Sequence, residues 1–235
     1  MNPRTRIDVF DTFLSPSNAL SILSPYDLIL DCTDNAPTRY LLSDSAVVLG
    51  KPLVSGAAMK FDGQLCTYNL GTDGPCYRCL YPKPPAIETV GSCEEQGVLG
   101  VVTGIIGNLQ ALEAIKIITR AHGVSYVFTL SKINDLALDG KPSLLIFSAM
   151  AMPPFRSIKL RSRKPTCPAC GQEGAKIGQI EETDYVAFCG GQVPEREATG
   201  LVQGDHRITA KVRDTLIAST SSSFPNGYFI AHVNL

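Results

Sequence analysis

No two glycines in this 235-residue chain stand with a single residue between them, although it holds 20. That absence excludes a Gly-x-Gly-x-x-Gly phosphate cradle anywhere in the sequence. An excess of one charge is lacking too, since 21 Lys and Arg face 22 Asp and Glu for a formal net charge of −1. Such a balance gives no electrostatic basis for direct nucleic-acid binding or for adhesion to an anionic membrane. The opening Met1-Asn2-Pro3-Arg4-Thr5-Arg6 has no apolar core behind it, so no secretory signal is expected. Eight cysteines without such a signal imply a reducing compartment and thiolate chemistry in place of disulfides, and a cytoplasmic location is the expectation. His122 and His206 have no visible partners, and no role is assigned to them.

What the chain does hold is cysteine in spaced pairs. Cys76-Tyr77-Arg78-Cys79 and Cys167-Pro168-Ala169-Cys170 each leave two residues between the sulfurs, so one tight turn can aim both at a single point. Two such turns supply the four thiolates of a tetrahedral zinc site. About ninety residues lie between the pairs, so the metal would fasten distant segments together, unlike a compact finger. Four reduced cysteines, or a redox Cys-x-x-Cys, are the alternatives. A redox role needs only one such motif beside a βαβ pattern, and the second pair argues against it. A closed zinc site does no chemistry, so function must lie elsewhere.

At 44% hydrophobic residues the chain can bury a full core and hold an appendage as well. Tyr26 to Asp31 reads as a short buried strand. A helix follows over Pro37 to Leu49, with proline in its first turn and Gly50 as its stop. Pro52 to Ser55 is a second apolar strand, and Asp62-Gly63 marks a hairpin turn before Leu65 to Tyr68. This order gives an α/β fold, a parallel sheet with an antiparallel hairpin at one edge. Residues 71–97 form a turn-rich loop, tied at one end by Cys76 and Cys79 and leaving Cys93 in its free part.

Val98 to Ile118 is long enough to suggest a membrane span, but it carries Asn108, Gln110, Glu113 and Lys116. Its Gly100, Gly104 and Gly107 suit close packing, and a central helix over Val98 to Arg120 is the better reading. Val124 to Leu130, Ser143 to Phe147 and Phe155 to Leu160 are further strand candidates. Beyond Cys170 no period is sustained, and Ser219 to Gly227 reads as turn or disorder before a short apolar coda. The core domain is drawn at residues 1–171, with an irregular tail over 172–235.

Asp31-Cys32-Thr33-Asp34-Asn35 follows the first strand and precedes a helix, the place where open α/β sheets bind ligands. A carboxylate there can hold Mg²⁺ between phosphates. From spacing alone the plainer reading is favoured, that Asp34 or Asn35 merely caps the next helix. Arg39 could pair with phosphate but reads more simply as a solvated helix-surface arginine, and Cys93 on its own as an inert loop or buried thiol.

Taken in order, these motifs resemble a known family. Asp31-Cys32-Thr33-Asp34-Asn35, Thr38-Arg39-Tyr40, Pro52 to Ala58, Pro75 to Leu80 and Gly97-Val98-Leu99-Gly100 look like the ThiF-type activating enzymes of ubiquitin-like sulfur carriers. Within them the resemblance is strongest to the eukaryotic adenylyltransferase–sulfurtransferases. It implies a partial Rossmann-like parallel sheet with antiparallel additions. It also implies Mg-ATP-dependent adenylation of a carrier's C-terminal glycine, then thioester or thiocarboxylate formation, serving tRNA thiolation, protein modification and molybdopterin synthesis.

Carried over by motif, Asp34 is the Mg-ATP aspartate with Asn35 beside it, and Cys93 is the conjugating cysteine. Cys76, Cys79, Cys167 and Cys170 are the structural zinc ligands. The implied partners are the carrier, a second copy in a homodimer, and a cysteine desulfurase as sulfur source. Members open with the glycine cradle that this sequence lacks, as though the first half of the nucleotide fold were removed. Glu181 to Arg213 resembles the linker to a rhodanese-like domain, which itself is missing, and Thr215 to Leu235 resembles nothing in the family. The missing cradle should abolish adenylation by this chain alone. A non-catalytic zinc-stabilised module that binds the carrier or a full-length subunit is the alternative.

Overall fold

The computed structural model describes residues 7–84, 97–119, 142–173 and 176–191, and the backbone of 228–232. In chain order the elements are α1 (Ala19–Leu23), β1 (Leu28–Cys32), α2 (Ala36–Val48), β2 (Leu53–Met59), β3 (Asp62–Tyr68) and α3 (Tyr77–Leu80). They continue with α4 (Gly100–Thr119), β4 (Ser143–Ser148), β5 (Phe155–Lys159), a 3₁₀ turn (Ile180–Glu182), α5 (Tyr185–Phe188) and β6 (Tyr228–His232).

The strands form one sheet in the order β5-β4-β3-β2-β1-β6. β1 runs parallel to both β2 and β6, while the β2–β3, β3–β4 and β4–β5 pairs are antiparallel. The mixed α/β sheet with antiparallel additions is as the sequence implied, but the antiparallel part is larger than one hairpin. The apolar coda is also more ordered than its reading: Leu28 to Cys32 stand opposite Tyr228 to His232 in register.

β1 is apolar without alternation because both faces are covered. Ile29 joins Tyr40, Leu42, Leu53 and Tyr68 in a cluster under α1 and α2, while Leu28 and Leu30 pack with Val54, Leu65, Ala114 and Ile117 under α4. Helix α2 begins where the Asn35 side chain accepts from the Thr38 N–H at 2.9 Å, with proline in the first turn. It ends at Gly50, whose φ of 65° allows Gly50 N–H and Lys51 N–H to fold back onto the Val47 and Ala46 carbonyls.

Three sequence readings are corrected here. The hairpin turn is Lys60-Phe61, because Met59 pairs with Asp62, so Asp62 and Gly63 lie inside β3. Gly63 answers a packing need instead: a Cβ there would come 2.4 Å from Ile106 of α4. Conversely, a Cβ at Gly100, Gly104 or Gly107 would meet nothing within 4 Å, so the helix glycines are not the close-packing ones. α4 is long and apolar enough to cross a membrane by composition, yet it lies along the sheet and buries Val102, Ile106, Gln110, Glu113 and Ile117. Its opposite side is open, with Val101 66% exposed, so the helix is a covering layer and not a central one.

The segment after the second cysteine pair belongs to the same core, since Ile180 and Tyr185 are buried against α2. The strand candidate at Val124 to Leu130, most of the 71–97 loop's distal part and Cys93 lie outside the described residues.

Candidate functional site

The four paired cysteines meet. Cys76 caps α3 from its N-terminus and Cys79 lies within that turn, with its N–H bonded to the Cys76 carbonyl. The second pair is delivered by the segment after β5, which Arg163 anchors through Asn69 Oδ1 at 2.8 Å. Cys76 and Cys167 sulfurs are 3.5 Å apart, Cys79 and Cys170 3.4 Å, and Cys76 and Cys79 3.8 Å. All four lie within 4.8 Å of one another, and all are buried.

A disulfide needs about 2.05 Å, so none is formed. A metal with bonds of about 2.3 Å to four tetrahedral sulfurs would hold them about 3.8 Å apart, and the quartet fits that cage. Hydrogen bonding from Cys170, then Cys76, pulls the Cys167 thiol down, while the same sulfur–sulfur contacts push Cys76 up. The Lys164 N–H donates to Cys79 Sγ at 3.5 Å, a bond suited to a ligating sulfur. The quartet could therefore hold a metal ion.

Between Cys76 and Cys79 sits Arg78, which is 3% exposed and reaches into α2. Its Nε and Nη2 donate to the Asp44 carboxylate at 2.8 to 3.0 Å, and Tyr185 Oη donates to the same carboxylate at 3.0 Å. The guanidinium also lies 4.9 Å from the Tyr40 ring centre and 4.4 Å from that of Phe188. Burial raises Asp44 above its ordinary value, and Arg78 and then Tyr185 work against that rise.

The second cluster stands at the carboxyl end of β1. Asp31, 0% exposed, accepts on Oδ1 from Thr33 N–H at 2.9 Å and Thr33 Oγ1 at 2.6 Å. Its Oδ2 accepts from Ser55 Oγ at 2.6 Å and Arg39 Nε at 3.2 Å. Arg39 Nη2 donates to the Thr33 carbonyl at 2.8 Å, so this arginine is not merely solvated as its sequence position suggested. Gln110 of α4 donates to the Asp31 and Val54 carbonyls at 2.8 and 2.9 Å, and its Oε1 accepts from Cys32 Sγ at 3.4 Å. Burial first, then Asp31, push the Cys32 thiol up to about 11.

Asp34 comes directly after this hub and is exposed. Asn35 is partly buried and caps α2, as the plainer reading allowed, and its Nδ2 donates to Asp34 Oδ1 at 3.2 Å. A lone accessible carboxylate at a strand's carboxyl end suits Mg²⁺, which takes one or two carboxylates and draws its other oxygens from phosphate and water. Asp31, Thr33 and Ser55 stood in the sequence only as members of motifs, Arg39 as a solvated residue and Gln110 as a polar position of the apolar helix; their joining in one network was not picked out from sequence. The only local signal was an aspartate inside a buried apolar strand, which must be satisfied by something.

A model of the ThiF family matches residues 1–169. The chain belongs to the ThiF family. It is 45% identical over 219 residues to the adenylyltransferase and sulfurtransferase uba4 of Aspergillus niger, covering 89% of this chain and 42% of that protein. The adenylyltransferase and sulfurtransferase MOCS3 of Drosophila virilis is 45% identical over 209 residues, with 88% and 42% covered. The uba4 protein of Neosartorya fischeri is 48% identical over 190 residues, with 77% and 37% covered. This ThiF-family chain thus spans about two fifths of the length of these relatives.

Proposed function

We propose that this chain serves the Mg-ATP-dependent adenylation of the C-terminal glycine of a ubiquitin-like sulfur carrier, followed by sulfur transfer or thioester formation. The observation that carries the reading is Asp34: an accessible carboxylate at the carboxyl end of β1, in a chain of the ThiF family whose relatives are named adenylyltransferases. A carboxylate substrate is a poor electrophile until AMP becomes its leaving group, so the site must gather triphosphate charge and the carrier's terminus together. Bound Mg²⁺ would neutralise charge on the phosphates. Asp34 would hold that ion, and Asn35 would keep the turn in register by capping α2.

Cys93 is proposed as the thiol that attacks the acyl-adenylate: its sulfur forms the thioester, and AMP leaves. Zinc is proposed for the Cys76, Cys79, Cys167 and Cys170 cage, where it would tie α3 to the segment after β5. The proposed setting is cytoplasmic, with the carrier as partner, a second copy of the chain in a homodimer, and a cysteine desulfurase as sulfur source. The outcomes would be tRNA wobble-uridine thiolation, carrier conjugation and molybdopterin synthesis.

ATP–diphosphate exchange with a ubiquitin-like carrier, measured beside Mg-ATP binding, tests this. Weaker Mg-ATP binding in Asp34→Ala is the expected result, together with a loss of roughly 100-fold in any exchange, as for a residue acting on transition-state charge. Carrier binding with neither exchange nor Asp34-dependent nucleotide binding overturns it and leaves a non-catalytic carrier-binding module.

A further inference from the structure

We infer that Asp31 is the positioning residue that sets Asp34 for the metal–nucleotide complex, an inference that rests on the proposed role of Asp34. The juxtaposition that carries it is a buried carboxylate bonded to Thr33 directly and through Arg39, in the turn leading to an exposed one.

Four elements converge on Asp31. Its carbonyl is held by Gln110 from α4, one carboxylate oxygen by Ser55 from β2 and Arg39 from α2, and the other by Thr33 in the turn. Arg39 then returns to the Thr33 carbonyl, the last carbonyl before residue 34, and closes a ring from Asp31 through Arg39 to Thr33. On the far side, Asn35 is fixed by capping the Thr38 N–H. Asp34 is therefore exposed between two pinned neighbours. An exposed side chain on a fixed backbone loses less freedom on binding than one on a mobile loop, which raises affinity without any new contact.

Isosteric replacement shows why the charge itself is needed. Both oxygens of Asp31 receive only donors: Thr33 N–H and Oγ1 at one, Ser55 Oγ and Arg39 Nε at the other. An asparagine amide offers one acceptor and one donor; a hydroxyl can turn to accept from its NH2, but the Thr33 N–H or the Arg39 Nε–H on that side cannot and would face a like group. The turn must then shift, and Asp34 with it, although Asp31 never touches the metal.

The probe is Mn²⁺ with ATP, followed by electron paramagnetic resonance of the bound ion on the full chain, with thermal melting alongside. Supporting residues around metal ligands typically change affinity roughly 10- to 100-fold when altered, and Asp31→Asn should fall in that range. Thr33→Val should weaken Mn-ATP by a smaller factor and broaden its spectrum, while Thr33→Ser, which keeps the hydroxyl, restores the parent value. Tyr185→Phe, in the other buried network, should lower the melting temperature with Mn-ATP affinity unchanged. If Asp31→Asn does not fold, the Thr33 pair decides. Parent-like Mn-ATP binding in Thr33→Val, or an equal loss in Tyr185→Phe, overturns the positioning role. Absence of Mn-ATP binding by the parent overturns the reading of Asp34 itself, and the inference with it.

Discussion

Asp31 and Asp44 are both completely buried, and each is paired with an arginine, yet the two surroundings do different things. Around Asp44 everything is closed. Arg78 meets it with both Nε and Nη2, Tyr185 supplies a further donor, and Tyr40 and Phe188 flank the guanidinium. These contacts run between α2, α3 and α5 and bind them into one body beside the cysteine cage. Around Asp31 the contacts are equally complete, but the chain leaves the hub through Thr33 and emerges at Asp34. The same buried ion pair thus serves as a lock in one place and as a foundation in the other. The role is decided by the residues next along the chain.

The largest expected effect comes from opening the closed region at its metal cage. Cys167→Ser removes one of four sulfurs that converge from segments far apart in the chain. Structural zinc contributes roughly 10 kcal/mol or more in small sites, so the variant should lose several kcal/mol of folding free energy. Thermal melting with and without chelator reads this: the parent should fall sharply on chelation, and the variant should start low and barely respond. Equal melting of both proteins in both conditions would show that the quartet holds no structural metal.

Breaking the lock itself should cost less. Arg78→Met keeps apolar bulk between Tyr40 and Phe188 but leaves Asp44 buried with Tyr185 alone, and stranding one partner of a buried pair typically costs about 3–5 kcal/mol. The pH dependence has a definite sign. Burial already raises Asp44 above its ordinary 3.8, so the folded state holds that proton more tightly than the unfolded chain does. Its contribution is fully present below 3.8 and is lost as pH rises through the raised folded value. Removing Arg78 takes away the main opposing influence and moves that value further up. Denaturant unfolding should therefore find the variant's deficit smaller at about pH 5 than at about pH 7; a deficit that grows on acidification would contradict the burial argument.

Legibility in the sequence divides along the same line. The cysteine cage was readable because two short motifs, each with fixed spacing, need only a common metal to be brought together. β1 and α2 were readable from an apolar run and from capping chemistry, with Asn35, Pro37 and Gly50 in their expected places. The networks around Asp31 and Asp44 were not, because Asp31 to Gln110 and Asp44 to Tyr185 are contacts 79 and 141 residues apart with no local pattern. Asp62-Gly63 misled for a physical reason: a glycine that makes room for Ile106 looks, in one dimension, like a glycine that makes a turn. The coda that pairs with β1 carried no signal beyond being apolar, since an edge strand is defined by the strand it joins.

The smallest effect bears most directly on the difference between the two aspartates. Cys32 lies next to Asp31 in β1, and burial, then the Asp31 charge, push its thiol up to about 11 from 9.0, while its bond to Gln110 acts in the opposite direction. Two units leave about 100-fold less thiolate at about pH 8, because each unit is a factor of ten in the ionisation equilibrium. Alkylation of Cys32 in the folded chain should accordingly be slow at that pH and rise steadily towards about 11. Asp31→Asn removes the neighbouring charge but not the burial, so Cys32 should react modestly faster at every pH below that value. Arg78→Met, acting on the remote lock, should leave the profile where it was. If both substitutions moved it alike, the two clusters would be one cooperative unit, and the separation of lock from foundation would fail.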